Sequence, residues 1–112
     1  MPDSCIVVLI TAPSQQAGEN IARLLVERKL AACVNILPAV RSIYSWKEAI
    51  QSDEEVLLLV KSRAELFADH LIPAVKAAHP YEVPEIIALP ILMGSPDYLD
   101  WIAAETSSPR DR

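Results

Sequence analysis

Apolar and polar positions along the chain fall into alternating blocks of two kinds. Cys5-Ile6-Val7-Val8-Leu9-Ile10 is a continuous run rich in β-branched residues, which predicts a strand covered on both faces. Ala12-Pro13-Ser14 breaks it, and Ser14 is suited to cap a helix. Ala17, Ile21, Leu24 and Leu25 then recur at helical spacing, with Arg28 and Lys29 where cations favour a helix C-terminus. Residues 31–44 predict a long strand interrupted at Pro38, which marks an edge position or a bulge. Residues 46–48 form the predicted hairpin tip. The second arm runs through Ile50 and Val56-Leu57-Leu58-Leu59-Val60-Lys61, with Gln51-Ser52-Asp53-Glu54-Glu55 as a polar interruption.

Ser62-Arg63-Ala64-Glu65 has the spacing of a capping box, predicting a second helix with a stripe of Phe67, Leu71, Ala74, Val75 and Ala78. Pro73 should kink or divide that helix. Residues 85–93 predict a fourth strand. Ser95 and Pro96 start a last short helix, and the chain from about Ser107 reads as a frayed tail. The order β-α-β-β-α-β plus a C-terminal helix predicts an α+β, ferredoxin-like sandwich in a single domain spanning 1–112. Two helices cover one sheet face. The first, third and fourth strands are apolar on both, so the other face needs a cover, from the last helix or from a second subunit.

Composition narrows the function classes. The formal net charge is −5, which argues against nucleic acid, since phosphate binding needs a basic footprint. No apolar run has the length of a membrane span, and residues 1–4 lack the basic segment of a signal peptide. The expectation is a soluble cytoplasmic protein. Cys5 and Cys33 lie in apolar runs without a Cys-x-x-Cys pair, arguing against structural zinc. No serine-histidine-acid pattern, nucleophile elbow or phosphate-cradling loop is present, so the chain is expected not to be an enzyme.

The densest chemistry lies in His79-Pro80-Tyr81-Glu82-Val83-Pro84-Glu85. Pro80 and Pro84 hold His79 and Val83 out of helical geometry, giving a stiff connector between helix and strand. Two readings stand: a functional connector positioned by rigid neighbours, or a stiff turn with solvated polar groups.

Leu30-Ala31-Ala32-Cys33-Val34-Asn35-Ile36, Ser42-Ile43-Tyr44-Ser45-Trp46 and the segment from His79 to Ile86 resemble the CutA1 family, the divalent-cation tolerance proteins. Thr11-Ala12-Pro13, Glu54-Glu55-Val56 and Asp97-Tyr98-Leu99-Asp100-Trp101 are similar too. The resemblance implies a homotrimer of ferredoxin-like subunits with hairpins crossing subunit boundaries, an architecture similar to PII signalling proteins, and copper(2+) as a possible bound ion. Family members usually carry a glycine soon after the tryptophan. Here Lys47-Glu48-Ala49 has none, so a positive-φ turn is not expected. Some members have a cysteine where this chain has Ile10, so a copper site needing that thiolate would lack it here.

Within this frame His79, with Glu82 or Glu85, is the candidate metal site, because neutral imidazole suits Cu(II) and a carboxylate can complete or orient it. Cys33, Tyr44, Trp46, Lys61, Tyr81 and Trp101 are candidates for a ligand cleft or subunit interface. Cys33 also reads as a buried thiol, and Tyr44 and Trp46 as aromatics packing on a neighbouring chain. The two function classes are a metal-binding trimer in metal ion homeostasis and a PII-like sensor or scaffold binding a small organic ligand between subunits.

Overall fold

The computed structural model describes residues 4–107. The predicted tail beyond Ser107 lies outside the described residues. Strands β1 (Cys5–Ala12), β2 (Cys33–Trp46), β3 (Ala49–Arg63) and β4 (Ile86–Pro90) form one four-stranded sheet in the order β2-β3-β1-β4. Every neighbouring pair is antiparallel. This is the mixed α+β arrangement that the alternating blocks predict.

The register fixes which face each side chain takes. Val8 opposes Val60 and Ala88, and Ile10 opposes Leu58 and Ile86. These positions share one face, and Val8, Ile10, Leu58 and Val60 are fully buried. Helix α1 (Gln15–Glu27) lays Ile21 and Leu25 onto them. Each such buried branched side chain contributes about 1.5–3 kcal/mol. Gly18 sets how closely α1 sits, since a Cβ there would lie 3.0 Å from Val56 Cγ2 and 3.2 Å from Leu58 Cδ1. Ser14 caps α1 as expected, its hydroxyl accepting from the Ala17 amide at 3.1 Å.

The second helical stretch is divided where proline demanded it. A short turn, α2 (Ala64–Leu66), leads into a π-helical turn over Phe67–Leu71, and α3 (Ile72–Ala78) restarts with Pro73 in its first turn. Pro73 has no N–H to donate to the preceding turn, and the widened π turn accommodates that loss. Leu71, Ala74 and Val75 face the core; Ala78 is exposed. The expected capping box does not form. β3 continues through Arg63, so Ser62 points into the core and donates to the Leu30 carbonyl at 2.7 Å.

Among the described residues, the opposite sheet face is covered at one end only. Helix α4 (Pro96–Glu105) lies over it, and Arg63 Nε donates to Thr106 Oγ1 at 2.7 Å, fastening the end of that helix to β3. Tyr98 sits beside the Cys33 thiol and packs against Trp101 at 5.5 Å between ring centroids. Farther along, Leu37, Ile87 and Leu89 stay 40–50% exposed on this face. The β2–β3 hairpin extends well past β1, giving a molecule of 47 × 27 × 23 Å.

Two expectations about that hairpin are corrected. The polar run 51–55 does not interrupt β3, because it pairs continuously with residues 40–44 of β2. The tip is a two-residue turn with Lys47 at φ 52° and Glu48 at φ 66°. Both are left-handed without glycine. A two-residue hairpin whose strands twist right-handedly demands that conformation, and the long ladder imposes it on residues that disfavour it. The break at Pro38 is a bulge, with register shifting between Leu37 and Val40 and Ala39 at φ 61°.

Candidate functional site

The register places Ser42, Tyr44 and Trp46 of β2 on the same sheet face as Asp53 and Glu55 of β3. Past the end of α3, His79 takes extended backbone angles (φ −87°, ψ 137°), as Pro80 requires. The chain then turns back over the C-terminal end of β1. Between this connector and the hairpin lies an open cleft of about 620 Å³, whose walls include Thr11, Tyr44, Trp46, Glu55, Tyr81, Glu82 and Glu85.

His79 is buried, and both ring nitrogens have backbone partners. Nε2 lies 2.7 Å from the Thr11 carbonyl oxygen, and the Tyr81 amide donates to Nδ1 at 3.1 Å. A carbonyl needs a donor and an amide needs an acceptor, so the pairing assigns the neutral tautomer with its proton on Nε2. The imidazole joins the end of β1 to the connector and stacks obliquely on the Tyr81 ring at 4.8 Å.

Tyr81 reaches across to β3. Its phenol donates to Glu55 at 2.5 Å, and Glu55 is only 5% exposed. Burial and then the Glu55 carboxylate push the Tyr81 phenol far above its ordinary range. Tyr44 donates to Asp53 at 2.5 Å, which raises its phenol in the same direction. The hydroxyls are thus committed to carboxylates, leaving aromatic surface and carboxylate charge toward the cleft.

The sequence-predicted residues separate into two groups. Tyr44, Trp46, Tyr81, Glu82 and Glu85 come together on the cleft. Cys33, Lys61 and Trp101 sit apart, around α4; Cys33 opposes Lys61 across the ladder, and the Lys61 ammonium is paired with the Asn35 side chain. Glu55 was missed, because it lies in a polar run that reads as solvated, and its burial comes from Tyr81 across the fold rather than from any local pattern. The Thr11 carbonyl carries no side-chain signature at all.

A metal ion fits this donor set poorly within one chain. His79 has no nitrogen to spare in this arrangement, Glu82 and Glu85 are exposed, and no His/Cys/Asp/Glu group of three or more is placed to hold an ion among the described residues.

Residues 6–105 match the family described as CutA1 divalent ion tolerance protein. The chain belongs to the CutA1 family. It is 53% identical over 100 residues to the divalent-cation tolerance protein CutA of Thermus thermophilus, covering 89% of this chain and 96% of that protein. Mouse protein CutA is 44% identical over 108 residues, and the match spans 96% of this chain but 60% of the mouse protein. The solved Thermus thermophilus CutA1 structure superposes with a TM-score of 0.88 at 51% identity, over 92% of this chain and 99% of that one. A CutA structure from Archaeoglobus fulgidus, described as a periplasmic divalent cation tolerance protein, gives 0.88 at 43% identity over 92% and 99% of the two chains. As a CutA1 protein the chain is a divalent-cation tolerance protein, and among its described residues no helix is long and apolar enough to cross a membrane.

Proposed function

We propose that the protein acts in metal ion homeostasis as a homotrimer of ferredoxin-like subunits, by binding rather than by catalysis, with the cleft beside Tyr81 as its functional site. The observation that carries this is the charge of the cleft: Glu55, Glu82 and Glu85 line it, and among the described residues no lysine or arginine does. Such a wall attracts cations and repels anions. The trimer is supported by the half-covered sheet face, by edge strands β2 and β4, and by a hairpin that projects beyond its own sheet. Copper(II) is the divalent ion that nitrogen and oxygen ligands favour. Glu82 and Glu85 are its candidate carboxylates, and His79 joins them only by giving up a backbone partner.

Calorimetric titration of the assembled protein with Cu(II), in a non-chelating buffer, tests this. Affinity should fall in a Glu82→Gln/Glu85→Gln variant. Unchanged affinity there would take the cleft out of the metal role, and unchanged affinity in His79→Ala would confine His79 to scaffolding.

A second reading is favoured by the aromatic walls. Tyr44, Trp46 and Tyr81 offer more apolar surface than an ion needs, and the volume suits a small organic molecule held between subunits as in PII-like proteins. A cytoplasmic site of action belongs to the same proposal, tested by immunoblotting of cell fractions.

A further inference from the structure

We propose that the cleft binds a small organic ammonium ion, with the alkylated nitrogen against Tyr44, Trp46 and Tyr81 and its charge balanced by Glu55. This rests on the reading of the cleft as an organic-ligand site and names the class of ligand it takes. Three independent observations converge on it.

The first is the sign and placement of charge. Glu55 is 5% exposed and its hydrogen-bond partner is a phenol, not a cation. A buried carboxylate without an opposite charge is costly, and a cation arriving in the cleft relieves that cost. An anionic ligand would instead meet Glu55, Glu82 and Glu85, with no basic side chain on the walls among the described residues; the Lys47 ammonium, at the hairpin tip, lies 6.0 Å from the centroid of the Trp46 ring.

The second is the surface. Tyr44, Trp46 and Tyr81 line this cleft together. The face of an aromatic ring attracts a cation, and alkylated ammonium ions gain most because they are weakly hydrated. Tyr44 and Tyr81 each donate their hydroxyl to a carboxylate, at 2.5 Å in both cases. Donation to an anion enriches the ring in electron density and strengthens that attraction. It also leaves neither hydroxyl with a proton to donate, which disfavours a ligand that needs a donor on these walls.

The third is size. A cleft of about 620 Å³ is far larger than a bare metal ion and lies within the ordinary range for organic ligands. His79, the nitrogen donor a metal would want, is turned away into the fold.

The test is proton NMR saturation transfer and calorimetry on the full chain. The probes are tetramethylammonium, choline, trimethyllysine and 3,3-dimethyl-1-butanol, the uncharged isostere of choline. At least one ammonium probe should bind saturably, and choline should bind about tenfold more tightly than its isostere if charge contributes on the order of 1–2 kcal/mol. Glu55→Gln should remove that preference, and Trp46→Ala should weaken all the ammonium probes alike. Equal binding of choline and the isostere would overturn the ammonium assignment while leaving an organic-ligand cleft in place. No saturable binding by any of the four probes, alongside Cu(II) binding that depends on Glu82 and Glu85, would overturn both. The choline–isostere comparison on the wild-type protein decides the question even where a variant fails to fold.

Discussion

The phenol of Tyr81 and the carboxylate of Glu55, 26 residues apart in sequence, meet in a 2.5 Å hydrogen bond that closes the connector onto β3. Removing the phenol leaves a buried carboxylate without its donor. Tyr81→Phe should therefore cost about 1–3 kcal/mol of stability, measured by denaturant unfolding. In a double-mutant cycle with Glu55→Ala the two losses should not add, because each variant breaks the same bond. Additive losses would show that the contact contributes nothing.

All three tyrosines of the chain should titrate late. Burial, then Glu55, raises Tyr81; hydrogen bonding to Asp53 raises Tyr44; burial, then Cys33, raises Tyr98, each above the ordinary 10.0. The folded state thus holds these protons more tightly than the unfolded one. Their contribution to stability is complete below about pH 10 and declines as pH rises above it toward the folded values. Phenolate absorbance should rise at higher pH in the native protein than in guanidinium, and Tyr81→Phe should flatten the alkaline loss of stability. A native titration centred at the free-tyrosine value would contradict this.

The hairpin tip should be improvable. Lys47 and Glu48 both occupy left-handed backbone, which disfavours each by roughly 1–2 kcal/mol relative to glycine. Replacing them with Asn-Gly, the pair this turn prefers, should raise stability by about 1–2 kcal/mol without altering the sheet. Unchanged or lower stability in chemical denaturation would mean that contacts of the two side chains outweigh the strain.

His79→Ala should destabilise the protein by about 1–3 kcal/mol even in the presence of a chelator, because the Thr11 carbonyl and Tyr81 amide lose their partner. If chelator-treated wild type and variant unfold at the same denaturant concentration, the ring's hydrogen bonds carry no net stability.

Assembly should depend on the uncovered sheet face. Leu89 is 50% exposed beside β1. Leu89→Lys should lower the mass seen by light scattering, and wild-type melting temperature should rise with protein concentration. A wild-type monomer at micromolar concentration would end the trimer proposal.

Much of this architecture was legible from periodicity. The β-branched run at residues 5–10, the Ser14 cap and the breaks at Pro38 and Pro73 each dictate a local outcome that the fold adopts. The errors came where a long-range partner decided the matter. Ser62 reads as a cap because hydroxyls cap helices, but the strand's extension turns it to Leu30. Lys47 and Glu48 read as disfavouring a positive-φ turn at the tip, and the paired strands override that preference. His79 looks like a free imidazole in a list of side chains, since its partners are backbone groups. Glu55 looks solvated until Tyr81 folds over it.

The position of that imidazole has a mechanical consequence. One nitrogen is held by Thr11, the last residue but one of β1, and the other by the amide of Tyr81. Displacing the Tyr81 wall by the width of a guest must either break one of these two links or drag the terminus of a central strand with it. The ring thus acts as a tie-rod, through which occupancy of the cleft would load the centre of the sheet.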